Sequence, residues 1–488
     1  MNLEKLLEDL GAFSSLEVFY ATVAASTAAC LVIIWALQSM CDVFHDMWLE
    51  GGVKQYLFRR VFKAVKNLPI VKGKVRQFAD KFRADFRKDV KAKRTEEIFA
   101  LPAEPLGDAL ILKRCKEQGE KAKHVYEQGR ISGCVFTADE KHSETVNEAM
   151  RLNSSANPLY FNDFHFAMQC EAEVVKMTLD LYHGPPDSCG ILSQGGTDSI
   201  FLATNAYREH GREVRGITRP NVVASETAHV AIDKACHYLG IELRKVPVLP
   251  GSLRCDVRSL RRCVDGNTIF IYASCPDFAH GNHDPTEQLS DLAVRYGCGL
   301  HVDSCMGGFI NPFLADAGFP PSQPFDFRLK GVTTISCDHH KYGYAPKGSS
   351  VCMFRSRALR NAGIFTQTTW NGGLYTTTGT AGSRNGSLAV GAWAAMLRLG
   401  RRGYVEKCKR IVESTLKLRE ALAKIPELRV LSKDVSTCVC VTSDVYNPVA
   451  LGEFLYRKHG WSIIKVQKPL GFHFTVTDAS YHIWELLA

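Results

Sequence analysis

Residues 332–348, Val-Thr-Thr-Ile-Ser-Cys-Asp-His-His-Lys-Tyr-Gly-Tyr-Ala-Pro-Lys-Gly, set an amine and two imidazoles directly after a β-branched run. Val332 to Ser336 reads as a strand, and Asp338, His339, His340 and Lys341 fall in the polar loop that follows it. In an open α/β sheet, ligands bind beyond the C-terminal ends of the strands. A lysine held there can lose its proton and form a Schiff base with a carbonyl cofactor. A solvated loop lysine is the ordinary reading of a lone His-Lys pair, so the neighbouring segments decide.

Three of them bear on it. Ile191 to Ser199 runs through Gly195, Gly196 and Thr197 into a helix over Phe201 to Tyr207, and free backbone N–H groups at such a start suit a phosphate. His229 is expected in the first turn of a helix, Glu226 to Leu239, after the strand Asn221 to Ala224. Asp303 closes the strand Gly299 to Asp303. Singly these are a tight turn, a helix histidine and a cap. Together, at strand C-termini on one sheet edge, they describe pyridoxal phosphate binding: a lysine, a phosphate cup, an imidazole to stack on the ring and a carboxylate to keep the pyridine nitrogen protonated.

The elements that must position them alternate regularly. Strands at Glu242 to Val246, Thr268 to Ala273 and Ser350 to Phe354, with helices near Val257 to Cys263 and over Pro285 to Tyr296, predict an α/β fold with a large, mostly parallel sheet covered on both faces. Before the sheet come a strand, Ile131 to Phe136, the turn Asn157-Pro158-Leu159-Tyr160 and a helix, Glu171 to Tyr182. After it, residues 369–375 and 379–384 are glycine-rich, and Ser383 and Arg384 suit anions. Long helices over Ala389 to Ile425 and strands near Leu428 to Leu431 and Cys438 to Thr442 predict a smaller C-terminal α+β domain.

The 488 residues carry a formal charge of +9, concentrated between Gly51 and Arg94, where fifteen Lys or Arg face three acids. Upstream, Val18 to Met40 is 23 residues without a charge, longer than the roughly 20 needed to cross a bilayer as a helix. The basic run beyond it predicts a single-pass anchor with its N-terminus lumenal and the body cytosolic. From Arg59 to Arg94 basic residues alternate with Phe62, Phe78, Phe82 and Phe86, suiting an amphipathic helix on anionic lipid; no nucleic-acid-reading module accompanies it. Seventeen scattered cysteines indicate reduced thiols, with neither a disulfide framework nor a metal site. The organisation expected is a lumenal stretch 1–17, a transmembrane helix 18–40, a basic juxtamembrane segment 41–104, an extension 105–190, a cofactor-binding large domain 191–385 and a small domain 386–488.

At His340-Lys341-Tyr342-Gly343-Tyr344-Ala345-Pro346-Lys347-Gly348 and Thr380-Ala381-Gly382-Ser383-Arg384 the chain resembles the sphingosine-1-phosphate lyase family, of the fold type I PLP-dependent transferase-like group, from about Ile131 to Thr477. The resemblance implies pyridoxal phosphate on Lys341, Asp303 at the ring nitrogen, His229 on the ring, and Gly195, Gly196, Thr197 and His340 at the phosphate. Ser383 is then expected to reach a partner's cofactor in a homodimer with shared active sites. Lys347 and Tyr344 are taken as catalytic with Lys341, and Asn157, Tyr160 and Arg384 as substrate-binding. The implied reaction is retro-aldol cleavage of a phosphorylated sphingoid base to a long-chain aldehyde and phosphoethanolamine, at the endoplasmic reticulum membrane. An amino-acid decarboxylase and an inactive membrane-bound homologue are the alternatives. The chain has Tyr160 where the family has His, Gln194 where it has Ser, and His339 where it has Thr. The family continues with further helix past the position of Ala488, so an incomplete small domain is expected.

Overall fold

The computed structural model describes residues 68–93 and 98–482, with Leu57 and Val61. It divides into two units, Met1–Pro105 and Leu106–Ala488. In the first, α1 (Pro69–Lys93) forms one 25-residue helix within the basic stretch, with Val75 and Phe78 exposed. The expected lumenal stretch 1–17 and membrane helix 18–40 lie outside the described residues. Among the described residues no helix is long and apolar enough to cross a membrane.

The second unit opens with α2 (Asp108–Glu127), α3 (Glu140–Leu152) and α4 (His165–Leu181). The sheet region follows as β1 (Cys189–Ser193), α5 (Gly196–Arg215), β2 (Asn221–Ser225), α6 (Ala231–Leu239), β3 (Glu242–Val246), α7 (Val257–Cys263), β4 (Thr268–Ser274), α8 (Thr286–Tyr296), β5 (Gly299–Asp303), β6 (Val332–Asp338) and β7 (Ser350–Phe354). Spatially the seven strands lie in the order β1-β7-β6-β5-β4-β2-β3. The pairs from β6 through β5, β4 and β2 to β3 are parallel, whereas β7 is antiparallel to both β6 and β1. Six strands therefore run one way, and the C-terminal ends of β1, β5 and β6 share an edge. Strands β2, β4, β5 and β7 are buried at every position, as a sheet covered on both faces requires.

The core on one face packs α5 and α6 against β2 and β4, with Tyr207 of α5 stacked on Phe270 of β4 at 4.4 Å between ring centres. Each such fully buried side chain contributes about 1.5–3 kcal/mol relative to exposure, which holds α5, and so its N-terminus, at the sheet edge. Beyond β7 come α9 (Arg357–Ala362), an exposed hairpin of β8 (Phe365–Gln367) and β9 (Tyr375–Thr377), and α10 (Ser387–Ala423), which breaks at Gly400, where φ is 57° and ψ is 178°. The C-terminal part adds β10 (Arg429–Val430), β11 (Cys438–Thr442), α11 (Pro448–His459), β12 (Ile464–Gln467) and β13 (Leu470–Thr475). Its four strands form an antiparallel sheet in the order β10-β11-β13-β12.

One expected element is absent. Ile131 makes a single bridge to Ser462, and Gly133 and Cys134 take φ values of 65° and 63°, which no strand tolerates. The segment instead hooks onto the small sheet, Ser132 Oγ accepting from Thr475 N at 2.8 Å and donating to His473 O at 3.2 Å. The described cysteines are all free thiols.

Candidate active site

Strand β6 ends on Asp338, and the chain turns so that Lys341 returns over it, with Lys341 Nζ 2.9 Å from Asp338 Oδ2. A tight turn allows this, because a Cβ on Gly343 would fall 2.5 Å from His339 O. Three hydrogen bonds to other elements pin the loop. His142 of α3 donates from Nε2 to Tyr344 O at 2.9 Å, Tyr404 of α10 donates to Gly343 O at 2.9 Å, and Tyr342 donates to Val476 O at 2.8 Å. Burial would lower the Lys341 pKa, but the Asp338 carboxylate, then Cys305 and Asp303, raise it well above the ordinary lysine value. The amine is thus an ammonium here, not the readily deprotonated group expected of a strand-end lysine. Asp338 is 2% exposed, and although burial opposes its charge, Lys341 and His340 hold it well below the usual carboxylate range.

His340 Nδ1 accepts from the backbone N–H of Gly348 and of Ser349, each at 3.3 Å. The hydrogen must then sit on Nε2, which faces Asp338 Oδ2 at 3.5 Å. On the adjacent strand, Asp303 takes a hydrogen bond from Tyr272 Oη at 2.5 Å on Oδ2, and on Oδ1 from Cys305 N at 3.0 Å and Ser336 Oγ at 3.2 Å. Burial would raise its pKa, but nearby His229 and these donors lower it. His229 lies in the turn before α6, not in the helix's first turn, because its Nδ1 accepts from Ala231 N at 3.2 Å and starts the helix there.

The third component is the turn between β1 and α5. Gly195 caps α5 with φ of 129°, which favours glycine, and a Cβ at Gly195 would stand 3.0 Å from the His340 ring. A Cβ at Gly196 would meet Cys305 Sγ at 2.6 Å and both Asp338 carboxylate oxygens at 2.9 Å. A chain of hydroxyls, Ser193 to Ser199 at 2.6 Å and Ser199 to Ser350 at 2.9 Å, ties the turn to β7 from below. Asp198 accepts from Gln194 N and from Thr380 Oγ1, both at 3.0 Å, and closes the helix start. Gly195, Gly196, Thr197, His229, Asp303, His340 and Lys341 all line one cavity of about 300 Å³.

The residues of this edge fall inside a match to the pyridoxal-dependent decarboxylase conserved domain over residues 143–443. The mouse sphingosine-1-phosphate lyase 1 is 36% identical over 457 residues, 93% of this chain and 78% of that protein, and the rice lyase is 39% identical over 448 residues, 89% of this chain and 81% of its own. The solved structure of the Burkholderia pseudomallei sphingosine-1-phosphate lyase is 36% identical with a TM-score of 0.78, covering 81% of this chain and 92% of that one. This chain belongs to the sphingosine-1-phosphate lyase family of pyridoxal-dependent enzymes. A Lactobacillus brevis glutamate decarboxylase, 20% identical with a TM-score of 0.68 over 81% of this chain, shares the fold.

The family's cofactor is pyridoxal phosphate, and the cavity fits it. The glycine turn at the α5 N-terminus lines the cavity with no side chain of its own at Gly195 and Gly196, so that His340, Cys305 and Asp338 approach it closely, and a carboxylate and an amine stand at or just beyond the ends of adjacent strands. Other expected site residues are elsewhere. Tyr344 is buried with φ of 56°, its ring stacked near Tyr404 and beneath Lys407 Nζ, and it does not line the cavity; it is a packing residue of the lysine loop. Lys347 donates to His340 O at 3.1 Å and lays its ammonium over Phe136, where desolvation, and the Lys341 charge, lower its pKa. Asn157, Tyr160, Ser383 and Arg384 do not line the cavity either. Asn157 Nδ2 donates to Ser383 Oγ at 3.1 Å, and the Arg384 guanidinium is paired with Glu171 of α4, so its charge is already matched within the chain.

Sequence reasoning missed Asp338 as a site residue, although a carboxylate three positions before a lysine in a turn is a readable ion-pair spacing. It also missed Tyr272, which bonds to Asp303, and Phe278 and Cys305, which line the cavity; pattern cannot separate these from core. His339 is buried and bonded through Nε2 to Thr178 Oγ1 at 2.8 Å, with its pKa pushed down to about 4 by burial, so it supports the loop from behind as a neutral ring.

Because the lowered pKa of Asp303 is below its unfolded value, its contribution to stability is present above that value and is lost as pH falls through the folded pKa. Replacing Tyr272 with Phe removes one donor and moves the folded pKa up. The variant should unfold with about 1.5–3 kcal/mol less stability near neutrality, the worth of a hydrogen bond to a charge. Urea unfolding should show the gap to wild type narrowing from about pH 7 to about pH 3; a constant gap would mean that Tyr272 acts through packing alone.

Proposed function

We propose that this chain cleaves phosphorylated sphingoid bases between C2 and C3, giving a long-chain aldehyde and phosphoethanolamine. The observation that carries the reading is the convergence of Lys341, Asp303 and the Gly195-Gly196-Thr197 turn on one cavity at the C-terminal edge of the sheet. The relatives named sphingosine-1-phosphate lyases supply the substrate class. When bound, pyridoxal phosphate supplies an aldehyde that bonds to amines and a ring that draws electrons from the carbon bearing the amine. The chain's residues do the rest. Lys341 would supply the amine that holds the group, Asp303 would keep a proton on the ring nitrogen, and the N–H groups of Gly195, Gly196 and Thr197 would hold the phosphate at the positive end of α5, with His340 beside them. His229, which lines the same cavity, would pack against the ring.

Cleavage needs a base for the proton of the 3-hydroxyl, and C2 takes up a proton after the bond breaks. Lys347 is our candidate for one of these transfers, since its pKa is lowered and it is bonded to the residue beside Lys341. Asn157 and Tyr160, with Ser383, form a separate polar group that we assign to the substrate's outer end and to a partner's site, because Ser383 is held by Asn157 and does not line its own chain's cavity. The working form is then a homodimer. We place it at the endoplasmic reticulum membrane, spanning once through residues 18–40 with the body cytosolic and α1 lying on anionic lipid, on the strength of the uncharged run and the basic stretch behind it.

Purified protein given a phosphorylated sphingoid base should release one long-chain aldehyde per phosphoethanolamine, and Lys341→Ala should reduce turnover by at least about a thousandfold. Carbon dioxide from amino acids without aldehyde from the sphingoid base would replace this reading with a decarboxylase. Removing residues 1–105 should free the body from membranes and leave a particle of twice the chain mass in sedimentation. Retention after a carbonate wash would move the anchor elsewhere, and a monomer would remove the shared site.

A further inference from the structure

Asp338 is a buried carboxylate that the reading above leaves without a task. Its Oδ2 lies 2.9 Å from Lys341 Nζ and 3.5 Å from His340 Nε2, while its Oδ1 is buried without a hydrogen-bond partner among the described residues. A carboxylate kept only for structure has both oxygens satisfied when buried, as Asp303 does on the next strand. Asp338 also flanks the phosphate turn, since a Cβ on Gly196 would fall 2.9 Å from each of its oxygens. It therefore touches both halves of the site, the amine and the N-terminus of α5.

We infer that Asp338 is the resting counterion of Lys341, a positioning residue that holds the ammonium beside the phosphate turn before the cofactor arrives and so governs when the amine becomes free to react. The inference rests on the reading of Lys341 as the lysine that takes the cofactor. Other charged or titratable groups face this pair. Asp303 and Cys305 approach Lys341 from β5, and His340, His339, Cys337 and Lys347 surround Asp338 and the amine from β6 and its loop. None of these duplicates the contact. Asp303 is engaged by Tyr272, Cys305 and Ser336, the Cys305 thiol donates to Ser336 Oγ at 3.3 Å, and Lys347 donates to a backbone carbonyl.

The chemistry gives this pairing a consequence. Only the neutral amine bonds to an aldehyde carbon, so the proton on Lys341 must pass to solvent, and the carbonyl oxygen leaves as water. A counterion that favours the ammonium moves that step to higher pH. Once the amine is consumed, His340 is left as the donor to Asp338, and its tautomer is already set, because its Nδ1 accepts from Gly348 and Ser349 and its hydrogen is on Nε2. The carboxylate thus passes from one donor to the other without moving.

Asp338→Asn keeps the shape and removes the charge. In the cofactor-free protein, the rate at which acetic anhydride labels Lys341, read by peptide mass across a pH series, should shift to lower pH by about one unit or more, an increase of about tenfold on the alkaline limb. Pyridoxal phosphate uptake, followed by visible absorbance, should shift in the same direction. Superimposable labelling profiles would overturn the proposal. A shifted labelling profile with unchanged uptake would overturn the role in loading and, with it, Lys341 as the cofactor's lysine, while keeping the ion pair. Should Asp338→Asn fold poorly, melting of the cofactor-free Lys341→Ala protein supplies the check. That variant leaves the buried carboxylate with His340 as its donor and no ammonium beside it, so adding Asp338→Asn to it should raise the melting midpoint, and a further fall would show that the two groups are not partners.

Discussion

Charge buried at the ends of β5 and β6 has to be matched, and most of the site's architecture follows from that. Asp303 and Asp338 sit on adjacent strands, each nearly inaccessible to solvent, with Lys341 as the nearest ammonium. At 2.9 Å and an effective dielectric of about 20, an ion pair gains about 5–6 kcal/mol, similar to the several kcal/mol it costs to desolvate each ion. Such a pair adds little net stability. What it does add is position, since any other placement of the lysine leaves the buried carboxylate without an ammonium. The second carboxylate is matched differently, by the donors Tyr272, Cys305 N and Ser336, and so remains anionic without claiming the amine.

That matching requires the lysine loop to return over its own strand, and packing enforces the return from three directions. His142 comes from α3, Tyr404 from α10 and Tyr342 reaches toward the segment after β13, each bonding to a backbone carbonyl. His339 closes the back of the loop against Thr178 of α4. The loop is thereby tied to helices α3, α4 and α10, the last packed on the other two, and to the small domain. A substitution in any of these would be felt at Lys341 without touching the cavity.

The sheet and its functional edge were legible because parallel strands buried on both faces leave long β-branched runs, as in Thr268 to Ser274, and because polar residues at their ends have little else to do. Asp303, Lys341 and the glycine turn were read this way. What could not be read depended on contacts distant in sequence. The segment Ile131 to Phe136 has strand composition, but left-handed Gly133 and Cys134 turn it onto Thr475. Tyr344 looked catalytic by its nearness to Lys341, yet a positive φ swings it toward Tyr404. Arg384 looked free to bind an anion, and its partner, Glu171, stands more than two hundred residues earlier. In each case the deciding neighbour came from another element, which no local pattern encodes.

The claim at the centre is that one amine, on the loop after β6, takes the carbonyl cofactor at this edge. It is tested most directly by loading the protein with pyridoxal phosphate, reducing with borohydride and mapping the phosphopyridoxyl group by peptide mass. The account predicts a single label on Lys341 in a peptide that also contains Asp338. A label on Lys347 or on any lysine outside the cavity, with Lys341 unmodified, would contradict it.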